Sequence, residues 1–199
     1  MWALVESNNV TQVYTRPKAL TIGNVNYPSN IFMLWTSSEL EALGIYEIVI
    51  DNSNLKNKEY YINTDQSFAF SSGTVTATYG TATAIAIADT LYTAQDETDG
   101  LGTEGEVKSK GLKTLHKEAI NQQAGNMLSP TDWMVIRAAE GGTAVPSSIT
   151  TQRAAVRTKA NAMCTQITNA ANVDALAALY VYNDATPPVR PLGELPLVD

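Results

Sequence analysis

The chain holds little from which a reactive centre can be built. Of its 199 residues, one is cysteine, Cys164, and one is histidine, His116. A single thiol excludes an internal disulfide and any multi-cysteine metal site, and a single imidazole excludes a His-pair zinc motif. Charge is sparse as well: Asp, Glu, Lys and Arg make up 17% of the chain, where about a quarter is usual. Lys and Arg number 13 against 20 Asp and Glu, giving a net charge of -7. Nucleic-acid binding needs clustered cations to displace counterions, and this chain has no basic stripe. Its densest basic stretch, Lys108 to Lys117, is flanked by Glu106 and Glu118 and reads as a solvated helix face. No run approaches the ~20 apolar residues of a membrane span. "MWALVESNNV" lacks the basic start and apolar core of a secretion signal, which implies folding in a cytoplasm. Neither nucleic acid nor membrane is expected as a partner.

The motifs that suggest chemistry lose to plainer readings. "GLGTEG" (Gly100 to Gly105) fits the spacing of a dinucleotide loop. No buried strand feeds into it, and Asp96, Glu97, Asp99 and Glu104 would repel a phosphate. Cys164 falls inside a helix, away from a positive helix end, and reads as a small buried residue. His116 reads as a surface residue among lysines, and G-x-S-x-G is absent. Asn9-Val10-Thr11 matches a glycosylation acceptor without a secretory context. Glu39, Glu41, Glu47 and Asp51 are explained as capping and surface charges, not as the paired carboxylates of a glycan hydrolase. No catalytic residue, metal or cofactor is expected.

What is present is a pattern of elements. The apolar fraction, 44%, is ordinary, and the surface is left to Thr, Ser, Asn, Gln and Ala, which suits contact between subunits. Residues 1–94 read as a β-rich domain. "LVESNNVTQVYT" suggests two strands about a turn at Ser7-Asn8-Asn9, and Gly23-Asn24 turns between Leu20–Ile22 and Val25–Tyr27. Thr36 and Glu39 form a capping box for one short helix that ends at Gly44, and Ile45 to Ile50 leaves as a strand. "YYINTD", "SFAFSS", "TVTATYG" and the alternating "TATAIAIAD" read as further strands. Residues 95–108, acidic and Gly-rich, read as a linker. Residues 109–182 change to helical period. One helix runs from about Ser109 to Leu128 with Leu112, Leu115, Ala119, Ile120, Ala124 and Met127 or Leu128 on one side. A second, capped by Ser129, stops at Gly141-Gly142. A third, capped by Ser148, carries a seam of Val156, Ala160, Met163 and Ile167. Asn172 to Tyr182 reads as a fourth short helix. Residues 183–199 form an extended Pro-rich tail, whose Pro187, Pro188, Val189, Pro191, Leu192 and Leu195 are candidate partner contacts. The class is α+β: a β-rich part, a linker, a helical hairpin or small bundle, and a tail.

The charges of the helical part have a bracing logic. Arg153 and Arg157 lie four apart on one helical face and repel unless answered by carboxylates. The carboxylates of the preceding helix, Asp132 and Glu140, are candidates to answer them, and an Arg fork suits that bidentate role. Trp133 and Arg137, also four apart, are placed to stack. The joint is expected to bury Trp133 and to use Asp132, Arg137, Arg153 and Arg157 as braces, so that Arg157→Ala lowers the melting temperature.

"LSPTDWMVIRAAEGGTAVPSSITTQRAAVR" resembles a C-terminal module of small proteins encoded near the tail fibres of tailed bacteriophages. Leu128, Thr131, Asp132, Trp133, Arg137, Glu140, Pro146, Arg153 and Arg157 carry the likeness. Gln152 departs from it, standing where an aromatic often precedes the first Arg. "YPSNIFMLWTSSELEALGIYEIV" is similar to a fibre-associated segment, and the two together cover about half the chain. The resemblance implies a structural protein of the virion tail, in the fibre or baseplate region, made in the host bacterial cytoplasm. It implies contacts with other tail or fibre subunits and a symmetric homo-oligomer. Its alternative is a fibre-assembly chaperone that leaves the particle. It implies no catalytic residues.

Overall fold

The computed structural model describes residues 1–196. The fold is mixed α+β, with strands concentrated early and helices late. The chain divides into two compact units, Met1–Thr83 and a second from Ala84 onward.

In the first unit, β1 (Trp2–Glu6) and β2 (Asn9–Tyr14) form an antiparallel hairpin. Ser7 and Asn8 both take positive φ at its turn, a geometry that matches the strand twist. β3 (Leu20–Ile22) and β4 (Val25–Tyr27) form a second hairpin about Gly23. Two short helices follow where one was expected, α1 (Ile31–Leu34), a single turn too short to show a period, and α2 (Ser37–Ala42). The capping box of α2 is complete: the Thr36 N–H donates to Glu39 Oε2 at 2.7 Å and the Glu39 N–H to Thr36 Oγ1 at 3.4 Å. Gly44 then turns the chain at φ +78, where a Cβ would stand 2.7 Å from the Val5 carbonyl oxygen. Only glycine fits both constraints.

β5 (Ile45–Asp51) enters the sheet beside β1. β6 (Tyr61–Ile62) is a two-residue strand, and β7 (Gln66–Ser71) and β8 (Thr74–Tyr79) are an antiparallel pair. The sheet order is β2-β1-β5-β8-β7, with β5 and β8 parallel. Its edge strands β2 and β7 approach each other, so the sheet is curled. Alternation divides the core between the two faces. Leu4 packs with Tyr14, Leu20, Ile31, Phe32, Leu40 and Ile45, whereas its neighbour Ala3 packs with Ile48, Val75 and Ala77.

The alternating run 81–88, expected as a strand, is ladder-paired only at β9 (Thr83–Ala84). Its later carbonyls have another use. The Leu112 and Lys113 N–H groups donate to the Ala86 and Ile87 carbonyls at 2.9 and 3.1 Å. The Gly111 N–H donates to Asp89 Oδ1 at 2.7 Å. The segment thus satisfies amides that the first turn of a helix leaves open, and its period-two pattern survives without a sheet.

The acidic run expected as a linker is folded and lies within the second unit. β10 (Thr90–Leu91) pairs with β11 (Val107–Ser109), and between them α3 (Ala94–Thr98) has its own capping box from Thr93 and Asp96. Lys108 closes the loop on Asp96 at 2.6 Å. α4 (Leu112–Leu128) then packs along α6 (Ser147–Asn169), joined through a 3-10 turn (Ser129–Thr131) and α5 (Asp132–Ala139). Leu112, Ile120 and Ala124 of α4 and Val156, Ala160, Met163 and Ile167 of α6 are buried, while Leu115 and Ala119 face solvent. Ser129 ends α4 without capping α5, its hydroxyl donating back to the Asn126 carbonyl. Pro146, not Ser148, is the N-cap of α6.

α7 (Val173–Ala178) is capped by the Asn172 side chain. The tail does not run out as expected. Leu192 is fully buried, its N–H donates to the Leu179 carbonyl at 3.0 Å, and Lys159 Nζ donates to the Leu192 carbonyl at 3.1 Å. The expected tail also covered 197–199, which lie outside the described residues.

Candidate interaction surface

The joint between α4, α5 and α6 is built around one guanidinium. A helix end leaves carbonyls without intrahelical donors, and Arg153, 6% exposed, supplies one from α6. Its Nη1 donates to the Leu128 carbonyl at 2.6 Å and to the Thr131 hydroxyl. Its Nη2 donates to Asp132 Oδ1 at 2.6 Å. The Thr131 hydroxyl in turn donates to the Leu128 carbonyl at 2.9 Å. Arginine suits this place because its planar fork serves several acceptors at once and is always charged. Asp132 also stands at the positive end of α5.

Four of the five expected bracing residues are placed in two pairs. Arg153 meets Asp132, and the Arg137 guanidinium lies over the Trp133 ring at 4.8 Å. Arg157 takes no part: it is exposed and has no ion-pair partner among the described residues. One turn beyond Arg153 it has passed the carboxylate. Leu128, read from the sequence as a motif residue and a candidate for the apolar face of α4, and Thr131, read as a motif residue, turn out to be acceptors in the joint.

Trp133 is not buried. It is 53% exposed, Ile136 59% and Val135 41%, and α5 has no buried residue at all. An eight-residue helix in a lone domain ordinarily buries an apolar stripe. Here the joint fixes the start of the helix and its apolar side chains face outward.

A second apolar surface lies in the tail. Ala178, Val181, Tyr182, Asn183, Val189, Arg190 and Pro191 line an open groove of about 460 Å³. Asn183 organises it: its carboxamide oxygen accepts from the Ala185 and Val189 N–H groups, and its own N–H donates to the Val189 carbonyl. The Arg190 guanidinium lies 5.4 Å from the Tyr180 ring and 5.3 Å from the Tyr182 ring, and pairs with Glu194 at 2.7 Å. The Tyr182 hydroxyl donates to Glu194, and this bond raises its pKa. His116 Nδ1 is 2.8 Å from the Tyr180 hydroxyl, which ties this cluster to the first turns of α4. His116 is therefore half-buried with a specific partner, unlike the surface residue expected.

Of the expected tail contacts, Pro187, Pro188, Val189 and Pro191 are exposed and Leu195 is half-buried. Leu192 is corrected to a core residue, since its full burial leaves nothing for a partner to touch. The aromatic and ionic cluster about Arg190 was not legible, because its members meet through a fold-back and not through a helical spacing.

Burial pushes the Cys164 thiol up, with Lys117 acting the other way, so the thiolate is disfavoured. Among the described residues no three His, Cys, Asp or Glu are grouped to hold a metal ion, and no helix is long and apolar enough to cross a membrane. Comparison with protein families, with curated proteins and with solved structures finds no match to this chain.

Proposed function

We propose that the chain is a structural protein of a phage particle, in the tail-fibre or baseplate region, which works by protein–protein contact in assembly and host attachment. The observation that carries the contact reading is α5: its start is locked by Arg153, and Trp133, Val135 and Ile136 are left facing solvent. A rigid helix presenting an aromatic and two aliphatic side chains is what a partner's pocket recognises. The placement in a phage tail comes from the resemblance of the same segment, Leu128 to Arg157. Leu128, Thr131, Asp132 and Arg153 of that likeness serve to hold α5, and Trp133 is the side chain it displays.

Mass spectrometry of purified particles tests the proposal. A structural subunit is present at a fixed copy number per tail. Its absence from particles that nevertheless require its gene identifies an assembly chaperone, and its absence from particles that do not require it ends both readings.

A further inference from the structure

The first unit holds a pocket for which the contact reading of α5 has no use, and we propose that it binds a neutral saccharide. The pocket is about 440 Å³ and is lined from the loop between β5 and β6, from β6 and from the end of β8. That volume falls within the range of small-molecule sites. The proposal is independent of α5, which belongs to the second unit.

The walls are held by side chains. Residues 52–60 contain no strand or helix, and their backbone is bonded by neighbouring amides instead. The Asn63 carboxamide accepts from the Lys56 N–H and donates to the Lys56 carbonyl, both at 2.8 Å. Asn57 Oδ1 accepts from the Glu59 N–H at 2.9 Å. At the end of β8, Asn54 Nδ2 donates to the Tyr79 carbonyl at 3.0 Å, and Thr64 Oγ1 accepts from the Gly80 N–H at 2.7 Å. Compact loops packed by their own side chains are a frequent seat of function. Walls fixed in advance also lower the cost of ordering a ligand.

The lining selects the ligand class. Leu55, Tyr61, Ile62 and Tyr79 supply apolar surface, and Leu55 and Ile62 are exposed. Lys58 and Asp65 stand among them, one cation and one anion. Neither has an ion-pair or hydrogen-bond partner among the described residues, and the Tyr79 hydroxyl has none either. An ammonium only donates, a carboxylate only accepts, and a phenol does both. The two charges balance, so a phosphate meets no excess of cation. A wholly apolar ligand would cover Lys58 and Asp65 without answering them. A zwitterionic amino acid would depend on two exposed ion pairs, which are weak in water. A sugar ring answers the whole set: its C–H face packs on an aromatic ring, and its hydroxyls both donate and accept.

Amide chemical-shift titration of the full chain with D-glucose, D-galactose, D-mannose and N-acetyl-D-glucosamine, each to about 50 mM, tests the proposal. At least one sugar is expected to shift the amides of residues 55–65 and 79–80 saturably, with a Kd of about 1 mM. Asp65→Ala and Lys58→Ala, both at exposed positions, are each expected to weaken that binding about tenfold while the rest of the spectrum stays in place. L-leucine and inorganic phosphate are expected to leave the same amides unmoved. Silence of these amides toward all four sugars overturns the proposal, and so does a response that both variants keep in full. A response to L-leucine or to phosphate in place of the sugars overturns it too, and assigns the pocket to a zwitterion or an anion. None of these results touches the copy-number test in particles.

Discussion

Removing the Arg153 guanidinium leaves the Leu128 carbonyl, the Thr131 hydroxyl and the Asp132 carboxylate without their shared donor. Breaking a buried pair strands its partners, and Arg153→Ala is expected to cost about 3 kcal/mol, tempered by the half-exposed Asp132. Arg157→Ala, at an exposed position without a partner, is expected to change stability by less than about 0.5 kcal/mol. Urea denaturation of the two variants separates them, and equal losses would contradict the joint described here. The sequence placed both arginines on one face of a helix, but the distance at which a single carboxylate stops serving the second was set by how α5 meets α6. Beside this joint, Gln152 Oε1 is buried without a hydrogen-bond partner among the described residues. Replacing it with the similarly shaped thioether removes that cost, so Gln152→Met is expected to raise stability by about 1 kcal/mol. A lowered thermal midpoint would show that the carboxamide is satisfied.

At the scale of elements, local chemistry was legible and tertiary use was not. Thr36 with Glu39, the Ser7-Asn8 and Gly23 turns, and the 4-3-4 seam of α6 each carry their cause within a few residues. The run 81–88 does not: the same alternation serves a sheet or a segment whose carbonyls meet the start of α4. The acidic stretch after it was read as a linker for want of apolar residues, yet it folds through side-chain bonds. Asp96 accepts from Lys108 and from the Thr93 amide and hydroxyl, and these hold its carboxyl down to about 2, from 3.8. Because the folded value is the lower one, the support that Asp96 gives α3 is complete above pH 3.8 and is lost as pH falls through about 2. A carboxyl chemical-shift titration is expected to find its midpoint near 2 and to find it raised in Lys108→Ala. A wild-type midpoint near 3.8 would mean that the closing contact of the loop does not persist.

For the whole molecule, hydrophobicity alone does not say who covers an apolar side chain. Trp133 reads as core from the sequence because it sits in a helix amid apolar neighbours, and its exposure emerges only once the joint turns α5 outward. Leu192 fails in the opposite sense: a leucine among prolines reads as free, and the fold-back through Lys159 and Leu179 buries it. The α+β class and the order of strands before helices were legible. The division after Thr83 was not, since the chain passes from one unit to the next inside a regular alternating pattern. Both misread residues bear on the central claim, that this protein acts by offering an apolar helix to another polypeptide. Hydroxyl-radical footprinting of Trp133, on the isolated chain at low concentration and on intact particles, tests that claim most directly. Ready oxidation of the isolated chain and strong protection in the particle are the results expected. Equal oxidation in both states would contradict it.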